Sequence, residues 1–288
     1  MPKSLLASRT AMLAAALALV TLVVGCQALQ PSAQERTSTS AQVAAKLPGY
    51  LRPEQRPDSV ALLPPPPSRG SQRAAADLAS YEQMRVLEGS ARWKLAYDDA
   101  SLKFPEAANH YACALGFSVD PEATPHLYTL LHRVIIDAGQ STAAAKLKYI
   151  RKRPFQETGD PSCVPEDEQM LSTNGSYPSG HASLGFVWGE VLAEVVPDRA
   201  AELRERGYQF GQSRAVCRLH YQSDIDGGRA VGAAVMPALR ANAGYRADVA
   251  AAKLEAQQAR ARGKGPGKDC AAEAAALRVT ASQPGVTP

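Results

Sequence analysis

The 288-residue chain has no strong excess of either charge: 32 Lys and Arg are spread against 28 Asp and Glu, for a formal net charge of +4. No basic stretch is interleaved with aromatics, so a nucleic-acid groove lacks its electrostatic footprint. Beyond the first 25 residues no segment approaches the ~18 apolar residues that a membrane-spanning helix needs. Runs alternating with period two are few and no internal repeat is found, which argues against sheet-rich and solenoid folds. Hydrophobic residues make up 45% and charged residues 21%. That balance excludes both a disordered chain and a multi-span membrane protein.

The N-terminus carries an address. Lys3 and Arg9 precede an apolar stretch, Ala11 to Gly25, too short to span a bilayer and patterned as an export signal. It ends in Val23-Val24-Gly25-Cys26, similar to a bacterial lipobox, in which the cysteine is lipidated and becomes the mature N-terminus. Gln27, where an Asp would retain the protein, resembles lipoproteins sorted to an outer membrane. A plain cleaved signal with an incidental Cys26 is the alternative. Of the five cysteines, assigning Cys26 to lipid leaves Cys113, Cys163, Cys217 and Cys270 in an oxidising compartment. Three pairings are open. Cys163–Cys217 is preferred, because both flank motifs that must meet in space, leaving Cys113–Cys270; free buried thiols are the alternative.

Four segments follow: a signal over 1–25, a lipidated N-terminus and Pro-rich extended segment over 26–73, an all-α domain over 74–250, and a peripheral tail over 251–288. Leu63-Pro64-Pro65-Pro66-Pro67 predicts extended polyproline backbone. Helix formers dominate from Ala74. Leu127, Leu130, Leu131, Val134 and Ile135 recur at helical spacing after Pro125, and Leu184, Val187, Trp188, Val191, Leu192 and Val195 repeat the pattern before Pro197.

Three clusters carry chemistry. Lys146 and Arg153 are seven apart, so on one helix both reach one anion, and Pro154 places Arg153 at a helix end. Alone, the run from Lys146 through Lys148, Arg151 and Lys152 to Arg153 reads rather as a solvated basic face. Pro178-Ser179-Gly180-His181 is a turn entering an apolar helix. It offers backbone N–H groups, a hydroxyl and a positive dipole end to an anion, and capping alone gives no reason for His181. His220 and Asp224, at i and i+4, stack on one helical face if helical, letting the carboxylate hold Nδ1–H while Nε2 points out as a nucleophile. A surface His–Asp pair is the bland reading. Arg214, six before His220, is at the wrong angle for the same face, so a bend or helix start must intervene.

Together these motifs resemble the three-part signature of the type 2 phosphatidic acid phosphatase (PAP2) superfamily, and more specifically a bacterial class A non-specific acid phosphatase. The likeness extends from about Gly49 to Tyr245, through Arg92-Trp93, Arg153-Pro154-Phe155 and Tyr221-Gln222-Ser223-Asp224. The resemblance implies an all-α single helical-bundle domain with an extended Pro-rich N-terminal segment. It implies hydrolysis of phosphomonoesters of broad specificity, with His220 as nucleophile, His181 as general acid and base, and Asp224 orienting His220. Lys146, Arg153, Ser179, Gly180 and Arg214 would bind phosphate, with no cofactor or metal. A homo-oligomer, small-molecule substrates, no nucleic acid, and membrane contact through the lipid alone complete the expectation, in a periplasmic location. The alternatives are a vanadium-dependent haloperoxidase-like enzyme, whose anion pocket is closely similar, and a non-catalytic phosphate-binding lipoprotein. A membrane-embedded lipid phosphatase lacks its apolar spans here. An Asp-nucleophile site at Asp224-Ile225-Asp226 lacks the apolar strand it needs.

Overall fold

The computed structural model describes residues 47–281; the expected signal segment and Cys26 lie outside them. Among the described residues all regular structure is helical, and no strand occurs. The main helices are α1 (Gln72–Arg85), α2 (Ala91–Asp98), α3 (Pro125–Gln140), α4 (Ala143–Tyr149), α5 (Pro154–Thr158), α6 (Gly180–Val195), α7 (Ala200–Val216), α8 (Gln222–Ala241), α9 (Ala243–Arg262) and α10 (Cys270–Ala281). The all-α expectation describes this body.

α6 is the central helix. Leu184, Val187, Trp188, Val191, Leu192 and Val195 are all buried on it, and it packs against α3, α7, α8 and α9. An apolar side chain so buried contributes about 1.5–3 kcal/mol relative to exposure. The α3 stripe faces it: Leu127, Leu130, Leu131 and Val134 are buried behind Pro125 at the first turn, and Trp188 Nε1 donates to the Leu131 carbonyl at 3.0 Å. Close approach depends on glycine. A Cβ on Gly207 of α7 would overlap the Gly185 carbonyl of α6, and one on Gly228 of α8 would overlap the Ser179 carbonyl. The second contact brings the N-termini of α6 and α8 together, and the site forms there.

The Pro-rich segment is a strap. The Tyr50 and Leu51 amides donate to the buried Asp137 carboxylate at 2.7 and 3.0 Å, and Tyr177 donates its hydroxyl to the Pro64 carbonyl at 2.9 Å. Position 250, placed as the domain end, falls inside α9, whose Ala252, Ala256 and Ala259 are buried. α10 is tied back by Cys113–Cys270 and by Glu273, which accepts from buried Arg206 at 3.3 Å. The chain after 250 thus packs onto the body through small apolar residues and two ion pairs, Arg206–Glu273 and Asp198–Arg260, features a composition-based boundary does not register.

Candidate active site

Ser179 caps α6, its Oγ accepting from the Ala182 amide at 3.2 Å while its own amide donates to the Asp224 carbonyl at 2.8 Å. The α6 N-terminus, where Gly180 is the first residue, is thereby pinned to the start of α8. Lys146 and Arg153 flank one loop that reverses the chain, and Arg214 and His220 flank another.

In the first loop, Ile150 has φ 43° and ends α4, so Lys146 and Arg153 do not share a helix as their spacing suggests. Arg153 instead caps α5, with Pro154 at the first helical position. The two still converge. Lys146 Nζ donates to the Gly175 carbonyl at 2.6 Å, and Arg153 donates from Nε to the Leu171 carbonyl at 3.1 Å and from NH1 to Leu219 O at 3.1 Å. In the second loop, Arg218 at φ 61° turns the chain between α7 and α8. That is the bend required between Arg214 and His220. Left-handed backbone is costly for such a residue, and here Glu88 and the Pro161 carbonyl accept from its guanidinium at 2.7 and 3.1 Å. The Cys163–Cys217 disulfide clamps the same turn; both bonded pairs are those preferred from the sequence.

His220 therefore precedes α8 rather than lying on it, and Asp224 is the third residue of that helix. The i, i+4 stacking inferred from spacing does not exist. His220 Nδ1 is 3.7 Å from Asp224 Oδ2, too far for a hydrogen bond, and Ser176 bridges them. Its Oγ lies 3.2 Å from Nδ1 and donates to Asp224 Oδ2 at 2.6 Å. On the other side of the ring, Nε2 is 3.0 Å from Arg153 NH1. A guanidinium has only donors, so Nε2 carries the lone pair and Nδ1 the proton. Burial, then Arg153 and Lys146, hold the His220 pKa well below its ordinary value and keep the ring neutral.

His181 shows the opposite tautomer. Its Nε2 is 3.0 Å from the Ala100 carbonyl, which only accepts, so Nε2 is protonated and Nδ1 is the basic nitrogen. The ring stacks on Phe210, and burial with nearby Arg214 lowers its pKa to about 3. Arg214 is fully buried; NH2 donates to the Ala96 carbonyl at 2.6 Å, while Nε and NH1 have no partner. Burial lowers the pKa of Arg214 and of Arg153 to about 10 and that of Lys146 to about 7. None of these three cations forms a salt bridge among the described residues, although an unpaired buried charge is expensive. A cavity of about 400 Å³ opens beside Lys146 and Gly180. Among the described residues no group of three His, Cys, Asp or Glu is placed to hold a metal ion.

The structure thus brings together Lys146, Arg153, Ser179, Gly180, His181, Arg214, His220 and Asp224. Sequence reasoning missed Ser176 and Arg151. Ser176 lies inside the Asn174-to-His181 turn, where each residue invites a local turn role. Arg151 lies in the basic run read as a solvated face, yet it donates to Asp224 Oδ1 at 2.6 Å and to Asp77 Oδ2 at 2.8 Å.

Buried cations that lack carboxylate partners, acting on a neutral histidine with one unprotonated ring nitrogen, suit the uptake of an oxyanion. The chain belongs to the PAP2 superfamily, whose profile matches residues 123–247. It is 40% identical to a non-specific acid phosphatase of Providencia stuartii over 207 residues, covering 72% of this chain and 84% of that one. It is 39% identical to an acid phosphatase of Zymomonas mobilis, covering 70% and 77%. A non-specific acid phosphatase of Salmonella typhimurium is 38% identical, covering 72% and 83%.

Proposed function

We propose that this phosphoric monoester hydrolase acts on a broad range of phosphomonoesters through a phosphohistidine on His220, without a metal. The observation that carries the reading is the Arg153–His220 contact, which leaves Nε2 unprotonated. Nε2 attacks phosphorus as the P–O bond to the alcohol breaks. The imidazole gains positive charge, which Asp224 stabilises through Ser176. Lys146, Arg153 and Arg214, with the Ser179 hydroxyl and the Gly180 amide, meet the equatorial oxygens, where phosphoryl transfer needs charge neutralised.

His181 delivers the proton to the leaving oxygen from Nδ1, because Nε2 is held by the Ala100 carbonyl. It then takes a proton from the attacking water. With its pKa near 3 in the protein alone, it is neutral at physiological pH. A phosphoryl dianion beside it raises that value, since negative charge favours the imidazolium. Activity is lost as pH rises through the raised value, which gives an acid optimum. His220→Ala should abolish turnover and the phosphate adduct that mass spectrometry finds on the parent, whereas excess EDTA should leave the parent unaffected. Full loss on chelation would sink metal independence.

The same reading places the protein outside the cytoplasm, lipid-anchored to the outer membrane through Cys26. Two disulfides use the other four cysteines and leave Cys26 over for that role. Cys26→Ala should move the protein from the membrane to the soluble fraction; an unchanged distribution would refute the anchor.

A further inference from the structure

Asp224 is wholly buried and accepts at both oxygens: Oδ2 from Ser176 and from the Tyr221 amide at 2.9 Å, Oδ1 from Arg151. Arg151 does not stop there. NH1 also donates to Ser223 Oγ at 2.8 Å, and NH2 to Asp77, which sits on α1 and is 4% exposed. Asp77 in turn accepts from the Ser223 amide at 2.8 Å and from the Ser223 hydroxyl at 2.5 Å. The Arg151 guanidinium lies over the Tyr221 ring, 4.5 Å from its centroid. This one side chain therefore joins α1, the loop after α4 and the first turn of α8.

We propose that Arg151 and Asp77 are positioning residues that hold Asp224 in place and set the net charge that the nucleophile His220 meets. Arg151 gives the buried Asp224 carboxylate the counter-charge it needs and fixes which oxygen faces Ser176. Paired with Arg151 alone, however, Asp224 would belong to a neutral unit and offer little to an imidazole gaining positive charge. Asp77 restores the balance: two carboxylates against one guanidinium leave one net negative charge behind Ser176. The bond between Arg153 and Nε2 orients the ring from its front, and the Asp77–Arg151–Asp224 chain acts on it from behind. None of these three groups needs to touch substrate.

The inference rests on His220 being the nucleophile, and the experiment separates the two. Rapid-quench measurement of phosphohistidine formation is made on the parent, His220→Ala, Arg151→Gln, Arg151→Lys, Asp77→Asn, the Arg151→Gln/Asp77→Asn double variant and Lys152→Gln. The expected result for Arg151→Gln and Asp77→Asn is phosphorylation slowed at least about tenfold with KM little changed, as for lost outer-shell partners of a functional histidine. The double variant regains a net charge of minus one and should be no slower than Arg151→Gln, because the two residues act as one unit. Arg151→Lys should recover part of the rate. Lys152→Gln removes an exposed neighbouring charge and should behave as the parent. Parental phosphorylation in folded Arg151→Gln and Asp77→Asn overturns the proposal, as does a loss confined to KM. Should Arg151→Gln not fold, Asp77→Asn and Arg151→Lys decide. An active His220→Ala overturns the nucleophile and this inference with it, whereas an inactive His220→Ala beside parental Asp77→Asn overturns this inference alone.

Discussion

Arg206 and Arg214 lie about two turns apart on α7 and are 3% and 0% exposed, yet their surroundings are opposite. Arg206 donates to both oxygens of Asp99, at 2.6 and 3.2 Å, and to Glu273 of α10. Burial works against its charge, but Asp99 and Glu273 outweigh it and raise its pKa. Asp99, pushed up by burial, is held at about 2 by Arg206 and His110. Arg214 has only a carbonyl. With residue type, helix and burial nearly constant, charge pairing separates the roles. The compensated arginine locks the C-terminal helix to the body. The uncompensated one holds stored electrostatic cost that an anion can relieve, which is how perturbed groups mark functional sites.

The comparison breaks most visibly at Arg206. Arg206→Ala leaves Asp99 buried without its guanidinium and Glu273 with Lys268 alone, and should cost about 3–5 kcal/mol, read by urea denaturation. A loss below 1 kcal/mol would show that the lock is ornamental. At Arg214 the effect should move from stability to catalysis. Arg214→Ala should lower kcat/KM by about 10²–10³, the scale for removing one oxyanion donor, with unfolding little changed. Inorganic phosphate should raise the melting temperature of the parent and not of this variant; equal protection of both would place the anion elsewhere. The smallest effect concerns Lys146, charged below its pKa of about 7 and neutral above it. Competitive inhibition by sulfate, whose own charge is constant, should weaken as pH rises through 7 in the parent and stay level in Lys146→Arg. A flat parental profile would remove Lys146 from the anion site.

Much of this was legible in the sequence. The α3 and α6 stripes record their own burial, because residues three and four apart share a helical face. The motif residues, and the need for a bend between Arg214 and His220, follow from spacing. Spacing misled where backbone left the helix. Ile150 at φ 43° separates Lys146 from Arg153, and His220 precedes α8, so Ser176 bridges a pair read as direct neighbours. No local signal marks Arg151 for Asp224, 73 residues away, or Arg206 for Asp99, 107 away.

By itself, then, the sequence determined the helical class, the core stripes and the chemical types gathered at the site, since propensity, periodicity and side-chain chemistry are local properties. Only the tertiary structure decided which buried charges have partners. That depends on where distant segments meet, and it leaves Arg214 without a carboxylate, ties Arg206 into the frame, and makes Arg151 the link between Asp77 and Asp224.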